Sequence, residues 1–327
     1  MAASHRQPLP RALAPALRRP GGAGVPVWVS SRPDELAGRP RWYQHPYNRP
    51  AFYRLAAGLA WLPRRVRLAL ARGLGRVAPR AMARERAAVR KTLGLSTGAT
   101  GRYLDELTTG VFTDFAMCFS DLVSANRQSE ARLRALVSTA PGAEYFTGIT
   151  GGVISLTAHV GNWELAGRLL AGHAHRPTHV VVAPEEVRDI ERWVRRDGHG
   201  VRFVTRDHPT ISLELIAALR RGEIVAVQGD RALGTRGDAS IPFFGHPAPF
   251  PLGPFVLARA VGVPLVPAFC LLEPDHRYAV IVGEPLTVAR DGEEAAARAW
   301  VAVLEAVVRG HPTQWFNFFD IWNPFVA

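Results

Sequence analysis

The sequence predicts an α/β fold: a mixed, mostly parallel sheet flanked by helices, with an N-terminal helical membrane-associating region. Three observations carry this. Short β-forming runs alternate with helical segments of about 10–15 residues, the pattern of βαβ units. Glycines stand where helical patterns stop, at Gly172, Gly198 and Gly222. And 327 residues with 47% hydrophobic content suffice for one large α/β unit plus a smaller helical part. The expected layout is a disordered basic arm over residues 1–40 and one domain over 41–327, with a helical part at 41–125 and an α/β core at 126–327.

The arm is rich in Pro, Gly and Arg and has little apolar periodicity. Its start, MAASHRQPLPRALAPALRRPGGAG, lacks an apolar h-region and does not read as a secretory signal. Order is expected from RPRWYQHPYNRP onward. From Ala51 the pattern is helical: Phe52, Leu55, Leu59 and Leu62 follow 3–4–3 spacing, Pro63 breaks the helix, and Val66 and Leu70 continue it in a second segment. Arg64, Arg65, Arg67, Arg72 and Arg76 crowd that second segment. An apolar face bordered by arginines fits an interfacial membrane helix, and fits equally a core helix with a solvated basic face. A further helix is expected from Arg102 to Ser124, with Leu104, Leu107, Val111, Phe115, Phe119 and Leu122 on one packed stripe. No run of about 18 uncharged apolar residues supports a spanning helix.

The core then alternates. GGVISLTA reads as a strand and WELAGRLLAG as a helix closed by Gly172. THVVVA is a strand, VRDIERWVRRDG a helix, and VRFVT a strand. TISLELIAALRRG is a helix, EIVAVQGD a strand and GPFVLARAVG a helix. VPLVPAFCLL and RYAVIVGEPL read as a hairpin around EPDHR, and EEAAARAWVAVLEAVVRGH as the last helix. IPFFGHPAPFPLGP shows no alternation and reads as an apolar, Pro-rich loop.

The net charge is +12 and unevenly spread. Met1 to Lys91 holds 19 basic and three acidic residues, and the remainder 21 and 25. All the excess positive charge therefore sits early in the chain and calls for an anionic partner, such as an anionic membrane surface or an acidic protein. Nucleic acid is disfavoured, because residues 64–91 contain no aromatic side chain to stack on bases. Cys118 and Cys270 stand far apart outside any C-x-x-C, which argues against a disulfide framework.

The chemistry centres on TAHVGNWELAG. His159 stands at the carboxyl end of a strand, where open α/β sheets place ligands. A Gly161-Asn162 turn follows, and then Glu164 opens a helix that Asn162 can cap. The turn lets His159 and Glu164 lie near each other, which a continuous helix would not. Several chemistries are excluded. There is no G-x-S-x-G nucleophile elbow. GNWE has Trp where the metallophosphatase GNHE has His, and no D-x-H precedes it, so a metal site lacks ligands. TGITGG precedes its strand, and GDRALGTRGD lacks a Gly-Lys-Ser/Thr, so neither is a nucleotide loop. What is left is His159 as a general base, deprotonating a substrate hydroxyl or amine that then attacks an activated acyl group.

The H-x4-E of His159 and Glu164 resembles the H-x4-D/E motif of glycerolipid and lipid A acyltransferases. Three further blocks follow in order. ERWVRR offers Arg195 or Arg196 where the family carries a functional Arg. RRGEIVAVQGDRALGTRGDASIPFFG is a strand, an Asp and a Pro-Phe-Phe-Gly-like loop, and HPTQWFNFFDIW matches a Pro-x-Gln-Trp ending. Over residues 40–325 the chain is similar to the lipid A biosynthesis (lauroyl/myristoyl) acyltransferase family, which also includes mycobacterial phosphatidylinositol mannoside acyltransferases.

The resemblance implies transfer of a fatty acyl chain from a thioester, on acyl carrier protein or coenzyme A, to a hydroxyl or amine of a membrane lipid, with a lipid A-like precursor favoured. It implies no cofactor, no metal, and a place on the cytoplasmic face of the bacterial inner membrane. AFYRLAAGLAWLP is too short for the longer apolar anchor of many members, so peripheral or monotopic attachment is expected. His159 is the expected base, and Glu164 or Asp230 the acid that orients it. Backbone N–H groups near Val160 and Gly161 are expected to face the oxyanion. Gly161, Asn162, Arg195, Arg196 and Arg231 are the expected substrate contacts. Phe243, Phe244 and Phe250 line an acyl channel or simply pack. Trp315, Phe316, Phe318, Phe319 and Trp322 shield the site, touch lipid or clamp the core. Two other readings stay open: the same fold acting on another glycolipid, phospholipid or aminolipid, and a catalytically inactive basic membrane-binding protein.

Overall fold

The computed structural model describes residues 56–125, 127–183 and 200–324. The basic arm, residues 41–55 and the ERWVRR segment with Arg195 and Arg196 lie outside the described residues.

Residues 56–59 are helical, and Pro63 then forms the N-cap of α1 (Arg64–Ala81), as its missing N–H and fixed φ favour. Two more helices follow, α2 (Ala83–Thr97) and α3 (Gly101–Ala125). The expected stripe of α3 is inside: Leu104, Val111, Phe119 and Leu122 are buried. α1 lies against α3, and Gly75 permits the approach, since a Cβ there would stand 2.5 Å from the Cα of Thr113. α1 has two apolar faces. Leu68 and Ala71 face inward, while Val66, Leu70, Leu74 and Val77 are exposed, continuing a surface begun by Trp61 and Leu62. No described helix is long and apolar enough to cross a membrane.

Three short elements that the periodicity does not announce come next: α4 (Glu130–Arg134), β1 (Val137–Thr139) and α5 (Glu144–Gly148). The alternating core then runs β2 (Val153–Thr157), α6 (Trp163–Ala174), β3 (Thr178–Val182), β4 (Val201–Thr205), α7 (Ile211–Arg220) and β5 (Ile224–Gln228). Then come β6 (Asp238–Phe243), β7 (His246–Pro251), α8 (Gly253–Val261), β8 (Leu265–Leu272), β9 (Tyr278–Val282) and α9 (Glu293–Gly310). The seven-stranded sheet has the order β1-β9-β8-β2-β5-β3-β4. β8 and β9 form the expected antiparallel hairpin, and every other neighbouring pair is parallel. The central β2 and β8 are buried throughout, as strands covered on both faces must be. Alternation divides β2 between two layers: Ile154 and Leu156 pack with α7, α8 and α9, and Val153 packs on the opposite side with α5 and α6.

Two expectations are corrected. IPFFGHPAPFPLGP is not a loop: β6 and β7 pair as a separate antiparallel ribbon with Phe243 opposite His246. Its prolines hide the strand signal, and a two-stranded ribbon tolerates them because each strand has an open edge. Phe244 and Gly245 both have positive φ (49° and 79°), the conformation of a tight two-residue hairpin turn. α6 does not stop at Gly172. It continues to Ala174, and His175, at φ 52°, provides the left-handed cap.

Candidate active site

Register builds the site. β2 and β5 are adjacent and parallel, with Thr157 opposite Gln228. Both chains leave the sheet at the same level, so the residue two beyond Thr157 and the residue two beyond Gln228 emerge side by side. These are His159 and Asp230. Nδ1 of His159 lies 2.7 Å from Asp230 Oδ1, and the backbone N–H of His159 donates to Oδ2 at 3.1 Å. Trp315 Nε1 donates to the same oxygen at 3.0 Å.

Asp230 is buried, and burial alone would disfavour its charge. The attraction and hydrogen bonding of His159, the charge of Arg231 and the Trp315 indole outweigh burial and hold its pKa well below the usual carboxylate range. The His159 side chain is 12% exposed. Burial is the largest influence on it, Arg231 adds to that, and together they lower its pKa despite Asp230 and Glu164. A neutral imidazole with one nitrogen held by a carboxylate is the state a general base needs.

Glu164 is buried in the first turn of α6. Its charge acts on His159 and on Arg168, but Asp230 is the carboxylate in hydrogen-bond contact with the imidazole. Trp163, between the turn and Glu164, packs its ring on His159 with centroids 4.9 Å apart.

The turn itself is tied into the protein. Gly161 has φ 58°, and a Cβ there would lie 2.0 Å from the carbonyl oxygen of Cys270, so glycine is required twice over. The backbone donors expected to face an oxyanion are occupied. Val160 N–H donates to Ala158, Gly161 N–H to Gln314 and Asn162 N–H to Cys270. The Asn162 side chain caps α6 through Leu165 N–H and donates to the Cys118 carbonyl and the Tyr278 hydroxyl. The polar groups of Gly161 and Asn162 are thus turned inward.

Arg231 is half-buried beside the pair. Its Nη2 donates to the Phe316 carbonyl at 2.9 Å and its Nε to Asn317 Oδ1 at 3.2 Å. Phe243 is fully buried between Phe250, Trp315 and Trp322, so it supports Trp315 rather than lining an open channel. Phe244 is half-buried at the hairpin tip, under the Arg309 guanidinium.

An apolar cavity of about 280 Å³ lies elsewhere, between α6 and the sheet. Trp163 and Thr157 line its site end, Ala166, Leu170, Ala226 and Val280 line its length, and Arg134, His173 and His175 line its far end. Among the described residues no group of three or more His, Cys, Asp or Glu gathers around a metal position.

The sequence points to His159 and Asp230 and offers Trp315 as a shield or clamp, but it does not say that Trp315 bonds Asp230 or that Gln314 holds the turn. The C-terminal segment clamps the His159 turn: Phe316 N–H donates to the His159 carbonyl, and the Gln314 amide pairs with both backbone groups of Leu272. The only sequence signal for this role is the Pro-x-Gln-Trp block.

The chain is similar to the phosphatidylinositol mannoside acyltransferases of two strains of Mycobacterium tuberculosis, each 27% identical over 177 residues. Those matches cover 52% of this chain and 54% of each relative, so the chain spans about half the length of the curated relatives it matches. The family model for bacterial lipid A biosynthesis acyltransferases matches residues 50–323, which encloses His159, Glu164, Asp230 and Trp315, and the chain belongs to that family.

Proposed function

We propose that the protein transfers a fatty acyl chain from a thioester to a hydroxyl or amine of a membrane lipid. The observation that carries this reading is His159, held through Nδ1 by a buried, ionised Asp230. With Nδ1 engaged, Nε2 takes the acceptor proton. The acceptor oxygen or nitrogen attacks the thioester carbonyl, the tetrahedral intermediate collapses, and the departing thiolate recovers the proton from His159. Atoms balance without a metal, redox group or enzyme nucleophile. Asp230 keeps the imidazole in one tautomer and stabilises its charged form. The turn donors being occupied, the Arg231 guanidinium, whose charge reaches His159, is the cation among the described residues that we assign to the oxyanion or to a phosphate of either substrate.

The cavity beneath α6 is the natural place for the acyl chain. It is apolar and reaches Trp163, which in turn touches His159. Phe243 and Phe250, closed into the core, then serve packing. The outward stripe of α1, flanked by Arg65, Arg76 and Arg80, supports docking on an anionic membrane surface from the cytoplasmic side. The donor is acyl carrier protein or coenzyme A, and the early positive charge suits the acidic carrier.

A lipid A-like precursor is the acceptor favoured by the family, and a mannosylated phosphoinositide is the second reading, favoured by the name of the relatives. Mass spectrometry of membrane lipids with and without the gene separates them. Loss of one acyl chain from a lipid A precursor supports the first, and loss from a mannolipid supports the second. An unchanged lipid profile rejects both.

A further inference from the structure

Behind the His159 turn runs a largely buried polar chain. Asn162 Nδ2 donates to the Tyr278 hydroxyl at 3.1 Å, and that hydroxyl donates to Asp121 Oδ2 at 3.0 Å. Asp121 accepts from Arg64 through Nε at 3.0 Å and Nη2 at 2.6 Å, and from Arg67 at 3.4 Å. Asn162, Tyr278 and Asp121 are all at most 3% exposed. Four elements meet here: α1 gives the arginines, α3 gives Asp121, β9 gives Tyr278, and the turn before α6 gives Asn162. Burial pushes the Tyr278 pKa well up, so the phenol keeps the proton that it gives to Asp121.

Stability alone explains this chain poorly. A buried hydroxyl or ion pair gains little over an apolar replacement of the same shape, because desolvation offsets the attraction. A Phe at 278 would fill nearly the same space, and Asn162 would still cap α6. What the hydroxyl adds is direction. Together with the Cys118 carbonyl, which accepts from the same amide nitrogen, it fixes the amide plane of Asn162, whose Oδ1 faces Leu165 N–H and whose backbone N–H donates to Cys270. Asn162 lies three residues from His159, on the far side of a glycine that cannot hold its own conformation.

We propose that Tyr278 and Asp121 are positioning residues, which hold the His159 turn through Asn162, with Arg64 and Arg67 anchoring Asp121. The kinetic arm of the test rests on the acyl-transfer reading, and the exchange arm does not. Hydrogen exchange is followed by mass spectrometry on the full-length protein and its Tyr278→Phe variant. Faster exchange across residues 157–166, with α9 unchanged, is the expected result. With palmitoyl-coenzyme A and a membrane lipid extract, Tyr278→Phe is expected to lower kcat about tenfold and leave KM for the thioester unchanged. Asn162→Ser keeps a helix cap but loses the amide donor. Adding Tyr278→Phe to Asn162→Ser should then lower kcat no further, the non-additivity of two residues acting as one. Unchanged exchange at 157–166 in Tyr278→Phe, or fully additive losses in the double variant, overturns the proposal. If the wild-type protein releases no thiol from any acyl thioester, the acyl-transfer reading fails while the exchange comparison still decides the positioning role.

Discussion

Asp230 and Glu164 approach His159 from two different regions. Glu164 is five residues away along the chain, at the start of α6, and Asp230 is 71 residues away, beyond the end of β5. The distant acid makes the contact. It does so because β2 and β5 are parallel neighbours in fixed register, which delivers two loops to one level of the sheet. The near acid sits in the first turn of α6, past the Gly161-Asn162 turn and Trp163. Glu164 therefore acts through its charge and Asp230 through both charge and geometry. Proximity in sequence locates the site, while sheet register selects the partner.

The sharpest way to break this comparison is to remove the group both acids serve. His159→Ala is expected to lower kcat/KM for acyl transfer by about 10²–10⁴-fold, and because it leaves the buried Asp230 without its imidazole partner the variant is first checked for folding. Near-normal transfer in a folded variant, judged by circular dichroism and thiol release, would sink the scheme. Asp230→Asn comes next. It keeps the shape but removes the charge-assisted bond, about 1.5–3 kcal/mol, and should lower kcat about 10²-fold. A loss smaller than that of Glu164→Gln in the same assay would reverse the assignment of the two acids.

Arg231→Gln should cost less, about tenfold in kcat. Its pH signature is distinct. Arg231 lowers the His159 pKa, so its removal raises that pKa. The acid limb of the kcat/KM profile, where His159 gains its proton and stops acting as a base, should move to higher pH. A limb that stays put, with kcat also unchanged, would remove Arg231 from the site.

Much of this arrangement was legible from the residues. The alternation of strands and helices, the β8–β9 hairpin and the Asn162 cap all follow from local pattern. Where the reading departs from the fold, the cause is physical. The prolines of β6 and β7 suppress the strand signal, because proline is normally excluded from paired strands and tolerated only at open edges. Gly172 reads as a stop, yet the helix carries on for two residues because its cap is His175 in a left-handed conformation. Both acids carry the right chemistry, and nothing in a linear pattern states which strands are neighbours. Trp315 holds Asp230 from a segment 85 residues further on, a contact that only tertiary packing creates.

The smallest effect, and the one that most sharpens the contrast, belongs to Glu164→Gln. The substitution keeps the size, removes the charge and turns one accepting oxygen into a donating NH2. Glu164 raises the His159 pKa, so its loss should lower that pKa further below the ordinary histidine value. The acid limb should then move to lower pH, opposite in sign to Arg231→Gln. At pH values well above the limb His159 is already neutral, so kcat should change only a few-fold, on the order of 1 kcal/mol or less. The two shifts, equal in origin and opposite in direction, can be read from one set of pH profiles. A large drop in kcat with no shift of the limb would mean that Glu164 acts on the substrate or on the turn, and that its charge on His159 is incidental.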